Sequence, residues 1–136
     1  MNKDIYSFER TTDEISVSVT PVFMDEESNP EKHFYLWAYQ VRIENQGKTA
    51  ITILDRQWHV IDAMGTTQDI AGTGVFKDKT SLNPGDSFEY TNTIPLSTTS
   101  GFMTGKYDIE KEQGVFTEIE APTFSLDSPY DRRILN

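Results

Sequence analysis

Cysteine is absent from this chain of 136 residues, and histidine occurs only twice. Without thiols the chain can form no disulfide, and two histidines do not suffice for a closed zinc or cobalt site. A chain without cysteine suits a reducing compartment, and its first residues, MNKDIYSFERTTDE, contain no apolar run typical of a signal peptide or membrane span. We therefore expect a cytoplasmic protein with neither a metal ion nor a cofactor.

Positive charge is also scarce. The chain has 12 lysines and arginines against 22 aspartates and glutamates, a formal net charge of -10. The longest basic cluster is the pair Arg132 and Arg133, so no positive face is gathered that could bind a phosphate backbone. We expect neither nucleic acid nor a membrane surface as a partner, and we interpret the charge as a source of solubility.

Alternating apolar and polar residues dominate the middle of the chain. Residues 34–65 indicate two long strands joined by a turn at residues 45–47. The dry face of the first strand holds Tyr35, Trp37, Tyr39, Val41 and Ile43, and that of the second holds Leu54, Trp58 and Val60. We predict that the two strands pair as a hairpin and that both tryptophans lie in the core.

The same pattern predicts further strands from Ile15, Ser87 and Gly101, while the acidic segment 25–32 is expected to be an exposed loop. One domain over residues 1–136 is expected, with irregular tails at 1–12 and 127–136. About seven strands favour an all-β, antiparallel β-sandwich of the fibronectin type III or immunoglobulin-like kind, with a closed barrel as the alternative. Gly105 interrupts a dry face, so we expect a tryptophan ring to lie over it.

The sequence offers no convincing catalytic set. His59 and Asp62 are three positions apart on a strand and therefore point to opposite faces. Asp108 and Glu110 lie roughly 7 Å apart on one strand face, a separation that paired carboxylates can use, but alternation with apolar residues favours the wet side of a strand. The carboxylates at 25–27 lack the ligand spacing of a calcium loop. We predict no catalytic residues and no metal site.

Arg56 is an unusual residue, because it shares a face with Leu54, Trp58 and Val60. A cation on a dry face must end the apolar patch or find a partner. Stacking on Trp58 while meeting Asp62 or another carboxylate would satisfy it. We favour a structural role and keep a ligand-binding cation as the alternative.

With the strands placed, the chain resembles the ApaG family along nearly its whole length. The resemblance rests on five segments that follow one another in order and spacing: Tyr39-x-Val41-x-Ile43-x-Asn45, Leu54-x-Arg56-x-Trp58-x-Val60-x-Asp62-x-x-Gly65, Gly72-x-Gly74-Val75, Leu82-x-Pro84-Gly85 with Tyr90, and Gly101-Phe102-Met103-x-Gly105-x-Tyr107. It implies a fibronectin-like sandwich, a protein-binding role in related domains, and an association of the bacterial members with cobalt and magnesium tolerance.

The resemblance also implies a glycine-rich segment suggested to bind pyrophosphate. Here the third glycine is replaced by Lys77, which leaves a candidate ligand-binding loop of Gly72, Gly74, Val75, Lys77 and Lys79. No helix is predicted after it, so only a nest of backbone amides could hold phosphate, and a structural turn is favoured.

We therefore expect a non-enzymatic binding module that recognises a protein or a phosphate-bearing small ligand such as pyrophosphate or a nucleotide. The recognition surfaces would be edge strands and the loop at 71–80. An enzyme acting on nucleotides or phosphate esters is the alternative. The sequence leaves the oligomeric state open, a homodimer included.

Overall fold

A computed structural model describes residues 5–72 and 80–131 of the chain. These residues form strands and two single turns of 3-10 helix, Pro30–Lys32 and Glu112–Gly114. No helix in the described ranges is long and apolar enough to cross a membrane. The strands are β1 Phe8–Thr12, β2 Ile15–Phe23, β3 Tyr35–Asn45, β4 Ile51–Asp62, β5 Thr67–Gly72, β6 Thr80–Leu82, β7 Ser87–Leu96, β8 Ser100–Lys111, β9 Val115–Glu120 and β10 Phe124–Asp127.

The strands form two antiparallel sheets. One has the order β1-β2-β3-β7, and the other has the order β10-β8-β4-β5, with β6 also paired to β4 and β9 also paired to β8. The apolar faces enclose a single core, in which Trp58, Tyr39 and Tyr107 are among the largest fully buried side chains. The predicted antiparallel sandwich is thus confirmed, and both tryptophans lie in the core as expected.

The predicted hairpin between the two long strands is wrong. β3 pairs with β2 and β7, whereas β4 pairs with β5, β6 and β8. The connection after Asn45 therefore crosses from one sheet to the other. The two dry faces meet across the core instead of lying side by side in one sheet.

The N-terminal tail is shorter than predicted. Residues 8–12 form β1, which pairs with β2 from Thr12↔Ile15 to Phe8↔Val19. Pro21 follows the part of β2 that pairs with β1, so one side of the strand is unpaired there. Proline tolerates such an edge position, as the sequence predicted. The described part contains ten strands instead of about seven, because β1, β6 and β10 are too short to show clear alternation.

A β-bulge changes the face assignment in β4. The register shifts between Ile53 and Asp55, so Leu54 is only half-buried while Arg56 turns inward with Trp58 and Val60. The expectation that Leu54 shares the face of Trp58 is therefore wrong. The expectation for Gly105 is confirmed, since it lies opposite Trp58 and a Cβ built there would come within 2.6 Å of the indole ring.

Candidate functional site

A polar cluster lies inside the sandwich near the end of β5. The Arg56 cluster consists of Arg56 and Trp58 on β4, Tyr107 on β8, Tyr39 on β3 and Tyr90 on β7, so that both sheets contribute. None of these side chains is more than 9% exposed. The alternation of β4 places Arg56 here, because the bulge at Leu54 brings residues 56, 58, 60 and 62 to the inner face.

The guanidinium of Arg56 has few partners among the described residues. Its side chain is 7% exposed, and Nη1 donates a long hydrogen bond of 3.4 Å to the carbonyl oxygen of Gly72. Its buried Nε has no hydrogen-bond partner, and no carboxylate of the described ranges forms an ion pair with it. A guanidinium carries five N–H donors, so most of its donors have no partner among the residues that the structure describes.

The charge of Arg56 acts on two of the tyrosines, Tyr39 and Tyr90. Trp58 Nε1 donates a hydrogen bond of 3.2 Å to the Tyr107 hydroxyl, which lies 2.5 Å from the hydroxyl of Tyr90. The hydroxyl of Tyr39 lies near the amide of Asn92 but has no partner in full hydrogen-bond geometry. The cluster therefore combines neutral phenolic hydroxyls with one positive charge.

Burial sets the protonation of these phenols. Burial raises the pKa of Tyr39 to about 12, and the nearby charge of Arg56 opposes that shift. Burial likewise raises the pKa of Tyr90, and it raises the pKa of Tyr107 well above its ordinary value. All three phenols stay protonated at neutral pH, and the hydroxyl of Tyr39 can donate a hydrogen bond to an anion.

The cluster lies where the candidate loop begins. Gly72 pairs with Arg56 at the end of β5 and has a φ of +100°, a conformation that suits glycine. β6 then starts at Thr80 opposite Ile53, so residues 54 and 55 of β4 lie between the two edge strands. Of the predicted loop residues, Gly74, Val75, Lys77 and Lys79 lie outside the described residues.

Asp62 is not the partner of Arg56. Its carboxylate accepts hydrogen bonds from the backbone N–H groups of Met64 and Thr66 and from the hydroxyl of Ser97. Burial alone would raise the pKa of Asp62, but these hydrogen bonds outweigh it and lower the pKa. The carboxylate thus holds the turn at Gly65 together, and the predicted ion pair with Arg56 is wrong.

The two histidines lie at the surface, as predicted. His59 points away from the core and contacts Asp69 across the β4–β5 pair, with 2.7 Å between Nδ1 and Oδ1. His33 ends the first 3-10 turn in a left-handed conformation with a φ of 56°. The opposite faces predicted for His59 and Asp62 are confirmed.

A pair of carboxylates on the outer side of the six-stranded sheet escaped the sequence reasoning. Asp55 and Asp108 are cross-strand neighbours, and a hydrogen bond with Asp55, together with partial burial and repulsion, raises the pKa of Asp108. Glu110 is half-buried on the same face. Only the register after the bulge brings the two aspartates together, and no feature of either strand alone reveals that register.

The acidic segment at 25–27 does not gather metal ligands. The hydroxyl of Tyr130 donates a hydrogen bond of 3.0 Å to Asp25, while Glu26 and Glu27 are exposed. Within residues 5–72 and 80–131, no group of three or more histidine, cysteine, aspartate or glutamate side chains could hold a metal ion.

Known sequences match this chain closely. The family model described as the ApaG domain matches residues 25–111. The protein ApaG of Paramagnetospirillum magneticum is 43% identical over 129 residues, which cover 95% of this chain and 99% of that protein. The protein ApaG of Bradyrhizobium diazoefficiens is also 43% identical over the same shares of both chains.

Solved structures lead to the same conclusion. The crystal structure of the ApaA protein from Bordetella pertussis has a TM-score of 0.81 and 37% identity, and covers 86% of this chain and 95% of its own. The C-terminal domain of wzt matches with a TM-score of 0.54 at 8% identity, which shows a shared fold alone. Because the family model spans more than half of the chain and the relatives nearly all of it, this chain belongs to the ApaG domain family.

Proposed function

We propose that this chain is a non-enzymatic, cytoplasmic binding module that holds a phosphate-bearing small ligand at the Arg56 cluster. The observation that carries the proposal is the buried guanidinium of Arg56, which lacks a carboxylate partner among the described residues. A buried charge without a counter-ion is costly, and an anionic ligand would supply that counter-ion.

The surroundings of Arg56 fit an oxyanion. A guanidinium binds phosphate oxygens through two parallel N–H donors, and the protonated phenols of Tyr39 and Tyr90 lie within its electrostatic range. Gly72 opens the loop whose sequence continues with Gly74, Lys77 and Lys79, so its sequence combines glycines with further positive charge. These features together favour the ligand role of the loop over a turn with a purely structural role.

Titration with inorganic pyrophosphate at low ionic strength tests the proposal. We expect amide shifts at Arg56, Gly72 and the following loop, and an affinity that falls as salt rises. Arg56→Met removes the charge at similar volume and should abolish the shifts, and Lys77→Ala should weaken binding. Lys48→Ala, at an exposed site in the β3–β4 connection, is the matched control and should bind like the parent.

Thermal melting shows whether a variant that no longer binds pyrophosphate is still folded. Arg56→Met must melt cooperatively, and Arg56→Lys provides a second variant that keeps the charge but loses the planar fork. Pyrophosphate should raise the melting midpoint of the parent, since a ligand of the native state stabilises it. If Asp78→Asn lowers the midpoint as much as Arg56→Met does and pyrophosphate moves no amide, a loop aspartate is the counter-ion and the proposal is wrong.

The alternative enzyme, acting on nucleotides or phosphate esters, has weaker support. The pair of His59 and Asp69 has the form of a base held by an orienting carboxylate. Such a base needs a nucleophile, and the hydroxyl on the residue opposite His59 is that of Thr104. Its Oγ1 is already hydrogen-bonded to Oγ1 of Thr123 at 3.0 Å. Hydrolysis of a chromogenic phosphate ester that is lost in His59→Gln would favour the enzyme.

Protein binding is the second part of the proposal. We expect a protein partner to dock on the sheets, because several large apolar side chains are exposed there. Recognition through edge strands remains a prediction. The edge strands β5 and β7 of the two sheets are in contact, since the side chain of Gln68 on β5 donates a hydrogen bond of 2.7 Å to the Pro95 carbonyl on β7.

A further inference from the structure

The outer face of the six-stranded sheet is open to solvent. Its centre is a shallow groove of about 500 Å³ that includes Gln57, His59, Thr104 and Lys106. A second depression of about 330 Å³, which includes Leu54 and Phe116, shares Glu118 with the first. Large apolar side chains stand at both ends of this face: Ile61 is 36% exposed, Phe102 48% and Phe116 66%.

Three carboxylates form one row across this face. Asp55 on β4 lies opposite Asp108 on β8, which lies opposite Glu118 on β9. Lys106 forms an ion pair of 3.1 Å with Glu118, and its charge also acts on Asp108, but within the described ranges no cation forms an ion pair with either aspartate. Like charges directly opposite each other destabilise a sheet.

The other sheet shows a row in which each carboxylate has a cation partner. On its outer side Arg42 lies opposite Glu89 on β7, 3.2 Å away, and it also binds Glu44 at 2.8 Å. One cation thus joins two carboxylates there. The row on the six-stranded sheet has three carboxylates for one cation, Lys106, and so carries a larger local excess of negative charge.

The pair at Asp55 and Asp108 retains binding capacity. Oδ1 of Asp55 is buried and has no hydrogen-bond partner, although the rest of the side chain is partly exposed. The raised pKa of Asp108 agrees with two carboxyl groups in close contact. A cation placed over the pair would satisfy Asp55 and remove the repulsion between the two groups.

From this arrangement we propose that the outer face of the six-stranded sheet docks a basic segment of a partner protein. A lysine or arginine of the partner lies over Asp55 and Asp108, and its apolar stem or an apolar neighbour packs on Phe116, in the same depression. The inference rests on the protein-binding part of the proposed function and is independent of the Arg56 cluster. A second copy of this chain would bring another net charge of -10 and the same row of carboxylates.

The test uses the full chain and three synthetic probe peptides, Ac-KKFKK-NH2, Ac-KKGKK-NH2 and Ac-EEFEE-NH2. At low ionic strength the first peptide should bind most tightly and shift the amides of Asp55, Asp108 and Phe116. Asp55→Asn/Asp108→Asn should lower its affinity about tenfold, because both changes keep the side-chain shape and remove the charge. Phe116→Ser should remove the preference for the first peptide over the second.

Glu26→Gln/Glu27→Gln is the matched control, since it removes the same charge from an exposed loop. It should change the affinity by no more than about twofold. Equal losses in the two double variants, or shifts spread over all acidic residues, would mean non-specific attraction and overturn the inference. A concentration-dependent dimer that protects these amides would also overturn it. Pyrophosphate should bind Asp55→Asn/Asp108→Asn at least as tightly as it binds the parent, because Arg56 is kept and negative charge is removed, so a failure here is distinguishable from a failure at Arg56.

Discussion

At the scale of single residues, the close contact of Trp58 with Gly105 limits what the core tolerates. A Cβ at Gly105 would lie 2.6 Å from two ring atoms of Trp58 and 2.9 Å from the Gln57 carbonyl oxygen. The ring cannot retreat easily, because it is 1% exposed and packs edge-on against Tyr39 and Tyr107. Position 105 therefore has to be glycine for the indole ring of Trp58 to keep its place in the core.

Gly105→Ala should therefore destabilise the protein by about 1–3 kcal/mol through overpacking. Gly47→Ala is the control, since its nearest neighbours would be side-chain atoms at 3.3 and 3.4 Å. Urea unfolding of the two variants measures the difference. Equal midpoints for both variants would mean that the indole ring moves aside without cost.

Asp108 should make stability depend on pH. Because its pKa is raised in the folded state, folding favours the protonated form, and the penalty for the ionised form is present above that pKa. Asp108→Asn should raise the stability at neutral pH by about 0.5 kcal/mol. The gain should vanish as the pH falls below the ordinary pKa of an aspartate.

Glu110→Gln is the matched control for this effect. Glu110 lies on the same face of β8 but opposite Thr52 and Phe116, so no carboxylate repels it from a facing strand. Its substitution should leave the pH profile close to that of the parent. A profile of Asp108→Asn parallel to the parent at all pH values would contradict a shared site for Asp55 and Asp108.

At the scale of elements, the phase of each long strand could be predicted and its partner could not. Alternation assigned the inner faces of β3 and β8 correctly, because burial of one face imposes a period of two. It does not show which strand lies alongside, so β3 and β4 were predicted to pair although they lie in different sheets. The connection between them decides this, and backbone hydrogen bonds and one buried side chain hold it in place.

Asn45 closes that connection. Its Nδ2 donates hydrogen bonds of 2.8 and 3.1 Å to the carbonyl oxygens of Thr49 and Leu82, and its Oδ1 accepts one of 3.0 Å from Gly47 N. Because Asn45 is 1% exposed, Asn45→Ala should lower the free energy of unfolding by about 3 kcal/mol, since it leaves buried polar groups without partners. The exposed Gln46 gives the control, Gln46→Ala, and equal unfolding midpoints would show that the connection holds without Asn45.

For the Arg56 cluster, too, the inward face could be predicted from the sequence and the neighbours could not. The inward position of Arg56 followed from the face it shares with Trp58 and Val60. Its lack of a carboxylate partner among the described residues depends on where both sheets place their acids, which a strand pattern does not contain. For the same reason the bulge at Leu54, and with it the meeting of Asp55 and Asp108, could not be foreseen.

At the scale of the whole molecule, the charge works against the fold. The net charge is -10, and lysine and arginine form five ion pairs among the described residues, all between partly exposed side chains. Pairs of this kind contribute little each, whereas the excess of carboxylates repels itself throughout the molecule. The repulsion should therefore outweigh the pairs.

The free energy of unfolding should accordingly rise as sodium chloride is added. Salt at about 0.1 M screens charges that are more than roughly 10 Å apart, so it weakens the long-range repulsion more than the short ion pairs. The midpoint of urea unfolding, measured in a series of salt concentrations, follows this rise. Glu26→Gln/Glu27→Gln removes part of the excess and should reduce its slope. A midpoint that falls with added salt would mean that the ion pairs outweigh the repulsion and that the exposed pairs, such as Arg10 with Glu120, contribute measurably to the fold.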